Sequence, residues 1–181
     1  GISGCGKSLL AKAIAGLWKM PLLRFDIGKV FQKYVGESEE NIRQAIQTAE
    51  AIAPSILWID EIEKGFAGMG GDSEGGGGVA SRIFGTFLTW MQENKSSVFV
   101  VATANEIKNL PPELLRKGRF DEIFFIDLPN INERTEILKI HLKMRNKTLS
   151  EDEIKKAATD TEGYTGAELE QVVINGMVDS F

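Results

Sequence analysis

GISGCGKS, running from Gly1 to Ser8, decides the fold. Gly1, Gly6, Lys7 and Ser8 stand at the spacing G-x-x-x-x-G-K-[ST], a loop that follows a strand, opens a helix and turns its backbone N–H groups toward phosphate oxygens. The glycines allow the curl, Lys7 neutralises β and γ oxygens, and the Ser8 hydroxyl reaches magnesium. Gly4, Cys5 and Leu9 lie in the same wrap and complete the loop residues expected to touch a nucleotide. Such a loop needs a buried strand ending in acid as its partner. ILWIDE, Ile56 to Glu61, supplies one. Its continuous apolar run suits a strand buried on both faces of a parallel sheet, and Asp60 then falls at the carboxyl edge where open parallel sheets bind ligands. Asp60 is expected to hold magnesium through water, and Glu61 to polarise the attacking water as general base. These are the Walker A and Walker B patterns of an α/β fold with a parallel sheet.

Outward from these two motifs, strands alternate with helices. The reading gives a helix from Gly6 to about Trp18 and a strand from Leu22 to Asp26. A helix capped by Ser38 follows, with Ile42, Ala45, Ile46, Ala49 and Ile52 as its stripe and Pro54 beyond it. The stretch from Gly68 to Gly78 is too glycine-rich for regular structure, and a helix from about Val79 to Glu93 follows it. Two further buried strands are expected, Val98 to Ala104 and Ile123 to Asp127, separated by a short helix opened by Pro111 and Pro112. From Asn132 onward the pattern is helical only, with capping boxes at Ser150–Glu153 and Thr165–Glu168. The expected organisation is a nucleotide-binding core over 1–129 and a small helical domain over 130–181. Because Gly1 already sits inside a motif that follows a strand, the sheet's first strand is expected to precede the sequence, and a last helix to be cut short after Phe181.

Composition removes several functions. No run approaches the roughly 18 to 20 apolar residues of a membrane helix, and the start lacks a signal-peptide pattern. Cys5 is the only cysteine, which rules out an internal disulfide, and with one histidine it cannot complete a four-ligand zinc site. A reducing compartment is expected. The formal net charge of −5 gives no basic footprint for nucleic acid. No HExxH occurs for a metalloprotease, and no NKxD follows the strands for guanine recognition. Asn105, at the end of VFVVATAN, is open to two readings: a turn residue, or an amide facing the γ-phosphate and lytic water. Arg116 and Arg119 in LLRKGRFD are open likewise, between solvated surface arginines and functional cations.

Taken together, GISGCGKS, YVGESE, ILWIDE, ATANEIKNLPPELLRKGRFD and GYTGAELE resemble, in order and spacing, the AAA ATPases that carry the second region of homology. DIGKVFQKYVGESEENIRQ, AEAIAPSILWIDEIEK and KGRFDEIFFIDLP look most like the AAA proteins of plastid and cyanobacterial genomes. The resemblance implies a five-stranded P-loop NTPase αβα sheet with a helical lid, ATP and Mg2+ as cofactors, and a homo-oligomeric ring, usually a hexamer, with ATP between neighbours. It implies that Asn105 is the first sensor and that Arg116 and Arg119 are arginine fingers reaching the adjacent protomer's site. It sets His141, Gly166 and Ala167 near the adenine and ribose, and makes Tyr34, Val35 and Gly36 a pore loop gripping an extended polypeptide. Lys117, where many relatives have proline, and Glu63, where an aspartate is common, depart from the pattern. The implied activity is a protein-remodelling ATPase acting on a protein substrate or adaptor, in the cytoplasm or the plastid stroma. The alternative is a nucleotide-dependent assembly switch that threads nothing.

Overall fold

The computed structural model describes residues 1–27, 35–66, 77–116 and 118–178, with backbone alone over 35–39 and 77–84. It divides into two compact units, residues 8–124 and residues 1–7 with 125–181.

The larger unit is built on three parallel strands in the order β1 (Leu22–Asp26), β2 (Ser55–Asp60), β3 (Val98–Ala102). Parallel neighbours need helical crossovers, and α2 (Val35–Ala51) and α3 (Gly77–Glu93) lie between them in sequence. The register pairs Leu22 with Ile56, Arg24 with Trp58 and Asp26 with Asp60, then Ile56 with Phe99 and Ile59 with Ala102. Every residue of β2 is buried, which is why its sequence runs apolar without alternation. Leu57 and Ile59 join Ile42, Ile46 and Ala49 of α2 and Phe87 of α3 in the core. Each such aliphatic side chain contributes roughly 1.5–3 kcal/mol by leaving water. The opposite face carries Ile56 and Trp58. There α1 (Lys7–Trp18) ends with Trp18 edge-on to Phe99 at 4.8 Å between ring centroids, so helices cover both faces of the sheet.

Four expectations are corrected. Helix α2 starts at Val35 rather than Ser38, so Val35 and Gly36 stand in its first turn, while Tyr34 lies outside the described residues. Ile52, read as part of the stripe of α2, follows the helix and is 42% exposed. β3 stops at Ala102 and is not fully buried: Phe99 is 45% exposed, because among the described strands β3 pairs on one side only. Ile123 to Asp127 forms no strand, and Ile123, Phe124 and Phe125 are exposed. Ile126 accepts a bond from Ile2 N at 3.3 Å, but no ladder runs along the segment, and an apolar run becomes a strand only by pairing.

The smaller unit holds α4 (Ile131–Met144), α5 (Glu151–Asp160) and α6 (Gly166–Val178). Each buries an i, i+4 pair in one core: Leu138 with Leu142, Ile154 with Ala158, Leu169 with Val173. The expected boxes at Ser150 and Thr165 form, with Ser150 N donating to Glu153 at 2.8 Å and Thr165 N to Glu168 at 2.7 Å. Bonds from the Ser150 hydroxyl and backbone hold the Glu153 carboxyl below its ordinary pKa, and bonds from the Thr165 backbone and hydroxyl do the same for Glu168. A third box starts α4, where Asn130 Oδ1 accepts from Asn132 N and Glu133 N and Glu133 returns a bond to Asn130 N. Arg134 is buried among carbonyls, its Nε donating to Ala158 O at 2.8 Å and Nη1 to Pro129 O at 2.9 Å, which ties the start of α4 to the end of α5.

Candidate nucleotide site

The carboxyl end of β2 gathers the site of the larger unit. Asp60 is 9% exposed, and its two oxygens accept from three donors. Ser8 Oγ reaches Oδ1 at 3.3 Å, Thr103 Oγ1 reaches the same oxygen at 2.7 Å, and Arg24 Nη2 holds Oδ2 at 2.8 Å. Ser8 and Asp60, both expected at magnesium, thus lie within hydrogen-bond distance although 52 residues apart in sequence. Together they present a hydroxyl and a carboxylate, hard oxygen ligands. Magnesium suits such a set, since it keeps much of its water and takes few protein groups beside phosphate.

Glu61 follows with φ of 51°, the left-handed region that a side-chain-bearing residue seldom occupies. This turn ends the strand and points the chain into the short 3-10 segment Ile62–Phe66. Glu61 N donates to Thr103 Oγ1 at 3.2 Å, and Oε1 accepts from Asn105 Nδ2 at 3.3 Å. Lys64 pairs with the other carboxylate oxygen, and that hydrogen bond raises the lysine pKa. The structure thus brings together Glu61 and Asn105, which are 44 residues apart in sequence. Glu63, half of the expected departure from the family pattern, is buried and accepts Asn105 N at 3.1 Å, so it fixes the backbone from which that amide projects.

Arg116 is exposed. Arg119 is half-buried and donates to Leu88 O of α3 at 2.8 Å. Lys117 lies outside the described residues.

In the smaller unit, the loop from Gly1 to Lys7 lies against the start of α6. Gly4 O accepts from Ala167 N at 3.1 Å, with Gly4 at φ of 79°. A Cβ on Gly4 would stand 3.0 Å from Thr165 Oγ1, and one on Gly166 would stand 3.2 Å from Gly4 O. Gly4 needs glycine for its left-handed backbone, and a Cβ on Gly166 would push Gly4 O back by a few tenths of an ångström. Gly4 is thus brought beside Gly166 and Ala167, which the resemblance had placed near the base. Lys7 Nζ donates to Gly1 O at 3.0 Å and to Ile2 O, spanning its own loop. Leu9, the first residue after Ser8, is 69% exposed. His141 is tied to α6 through Arg145, whose Nη1 stands 3.3 Å from His141 Nδ1 and whose Nη2 donates to Glu170 at 2.7 Å. That bond, with the neighbouring His141, keeps the Glu170 carboxyl below its ordinary pKa.

Cys5 sits at the mouth of a helix, where the dipole favours a thiolate, yet desolvation raises the thiol pKa and outweighs Lys7. The thiol is half-buried and faces Ser3 O at 3.9 Å.

Arg24, Lys64 and Thr103, which contact the two carboxylates, carry no motif in the sequence, and Glu63 enters it only as a departure from the family pattern. Thr103 is the most telling: it is buried, its hydroxyl donates a hydrogen bond to Asp60 and accepts one from Glu61 N, while its own N donates to Ile59 O at 2.9 Å. Thr103→Val, which keeps the shape and drops the hydroxyl, should destabilise the protein by about 1–3 kcal/mol, the scale for stranding buried partners. Urea unfolding checks this, and an unchanged midpoint would remove Thr103 from its bridging role.

The AAA family, described as the ATPase family associated with various cellular activities, matches residues 1–128. The whole chain is 53% identical over 182 aligned positions to a protein of Pyropia yezoensis named "Uncharacterized AAA domain-containing protein ycf46", of which it covers 37%. A protein of the same name from Guillardia theta is 52% identical over the whole chain, 36% of that relative. The peroxisomal ATPase PEX1 of Arthrobotrys oligospora is 34% identical over 99% of this chain, which covers 15% of it. The chain therefore spans little more than a third of the first two relatives, at 37% and 36% of their lengths. With the family matched from the phosphate loop through the sheet, the chain belongs to the AAA family, and its parallel sheet with flanking helices is the α/β fold of a P-loop NTPase.

Proposed function

We propose that this chain is the motor domain of a ring ATPase that binds ATP with Mg2+, hydrolyses it and uses the cycle to remodel a protein substrate. The observation that carries the hydrolytic part is the paired geometry at the end of β2: Ser8 Oγ at 3.3 Å from Asp60, and Glu61 at 3.3 Å from the Asn105 amide. In this reading residues 1–129 are the nucleotide-binding core and 130–181 the lid. Lys7 neutralises the terminal phosphates, while backbone N–H groups of the loop from Gly1 to Gly6 orient them. Ser8 and Asp60 hold magnesium, which when bound neutralises charge on the phosphate oxygens. Glu61 accepts the proton of the attacking water, and Asn105 keeps that carboxylate turned toward the γ-phosphate. Both carboxylate oxygens of Glu61 are engaged, by Asn105 and by Lys64, so Lys64 must let go before Glu61 can serve as base. Gly4, Cys5, Leu9, His141, Gly166 and Ala167 line the nucleotide, and Arg116 and Arg119 complete a neighbour's site in a hexamer. The site of action is the cytoplasm, or the plastid stroma for a plastid-encoded protein. No helix among the described residues is long and apolar enough to cross a membrane.

Remodelling rests on Tyr34, Val35 and Gly36; Val35 and Gly36 stand in the first turn of α2, and Tyr34 lies outside the described residues. Tyr34→Ala in the full-length protein should retain assembly and hydrolysis and lose substrate remodelling, since an aromatic grip on an extended chain is gone. A thermal melt beside the ATPase and remodelling assays reads the result. A joint fall of stability and hydrolysis would make Tyr34 a packing residue, worth about 3–5 kcal/mol as a cavity. Unaltered behaviour in all three assays would favour the assembly switch.

A further inference from the structure

Arg24 occupies a position that the functions assigned above do not use. It stands on β1 opposite Trp58 on β2, and in a parallel pair such partners share a face of the sheet with residues two further along. Asp26 and Asp60 are those residues. From there Arg24 lays its guanidinium over the buried Trp58 ring, 5.0 Å from the centroid, and turns Nη2 to Asp60 Oδ2 at 2.8 Å. The stacking pre-orients the fork, and the charge-assisted bond closes on the one Asp60 oxygen not already taken by Ser8 and Thr103. The register also sets Asp26 directly across from Asp60, so two carboxylates end adjacent strands and a cation beside them relieves their repulsion.

Asp60 Oδ2 offers the lone pairs that a divalent cation or its water shell takes, and Arg24 already engages them. We propose that Arg24 is an internal competitor of the divalent cation: a tethered monovalent charge that must leave Asp60 Oδ2 when Mg2+ loads, and so sets how much Mg2+ the site requires. The inference rests on the reading of Asp60 as a magnesium-site residue. Arg24 has room to leave, because its side chain is 55% exposed while that of Asp60 is 11% exposed. It also has somewhere to remain, since the Trp58 ring keeps the guanidinium stacked after the ion pair opens. The outcome is a site whose charge is compensated in both states, by Arg24 in one and by the dication in the other.

The test is a Mg2+ titration of fluorescent ATP-analogue binding to the full chain, with binding in EDTA as the reference. Arg24→Met keeps a stem of similar length over Trp58 and removes the charge. Its half-saturating Mg2+ concentration should fall by about 3- to 10-fold, the scale of a charge-assisted bond discounted for an exposed partner, while binding in EDTA is unchanged. Arg24→Lys keeps a charge without the planar fork and should fall by about twofold. It serves as the test if the methionine variant does not fold. A Mg2+ requirement that is unchanged or raised in the variants would overturn the competition. Should the unaltered protein bind no analogue with or without Mg2+, the nucleotide site itself would be wrong, an outcome separate from a Mg2+-dependent protein in which Arg24 makes no difference.

Discussion

Arg119→Ala subunits mixed with unaltered protein should depress ATP hydrolysis far below the share of unaltered subunits in the mixture. The proposal behind this is that Arg119 completes the site of the neighbouring protomer, where an arginine finger is worth about 10³ to 10⁵ in rate. A subunit lacking it binds nucleotide normally and disables the site next door. The bond from Arg119 to Leu88 O at 2.8 Å adds a second effect to be separated from the first, the loss of an anchor on α3. A thermal melt of the variant alone measures that anchor, which is expected at about 1 kcal/mol for a single hydrogen bond. Steady-state hydrolysis over a range of mixing ratios and total concentrations measures the finger. Activity per unaltered subunit that stays constant across both ranges would mean that each chain completes its own site.

Glu61→Gln should keep Mg-ATP binding and lower turnover by roughly 10² or more, the loss expected when a general base can no longer take a proton. The glutamine side chain retains the shape of the glutamate and its carbonyl can still accept from Asn105 Nδ2, so the geometry around Thr103 and Asp60 survives. Lys7→Ala should fail at the earlier step and lose binding, because the phosphates lose their neutralising charge. Nucleotide affinity and single-turnover hydrolysis measured on the same samples distinguish the two. Turnover at the unaltered rate in the glutamine variant would assign the base elsewhere.

What could be read from sequence, and what could not, divides along physical lines. β2 was legible because a strand covered on both faces by helices must be apolar at every position, and Ile56 to Ile59 are. The boxes at Ser150 and Thr165 were legible because a cap is a local bond, closed within three residues. Asn130 is equally local and was passed over, since the helical pattern was counted only from Asn132. Ile123 to Asp127 was misread because composition says that a segment can pair and is silent on whether a neighbour pairs with it. The phosphate-loop spacing announced Ser8 and the apolar run Ile56 to Ile59 announced Asp60, whereas Arg24 and Thr103 lie 36 and 43 residues from the aspartate they hold. Nothing local marks either of them. Only the parallel register brings Arg24 beside Trp58 and within reach of Asp60.

The backbone at Glu61 has a bearing on how such a protein evolves. With φ at 51°, any residue carrying a Cβ sits there at a cost of about 1 kcal/mol, and glycine would sit there at none. The position that supplies the proposed base is thus one where the fold, left to its own preference, would choose a residue without chemistry. Glu61→Gly would ease the backbone and remove the carboxylate together, so stability and the proposed chemistry pull in opposite directions at this position. A relative with glycine here would keep the turn that ends β2 and lose the carboxylate that Asn105 and Lys64 hold.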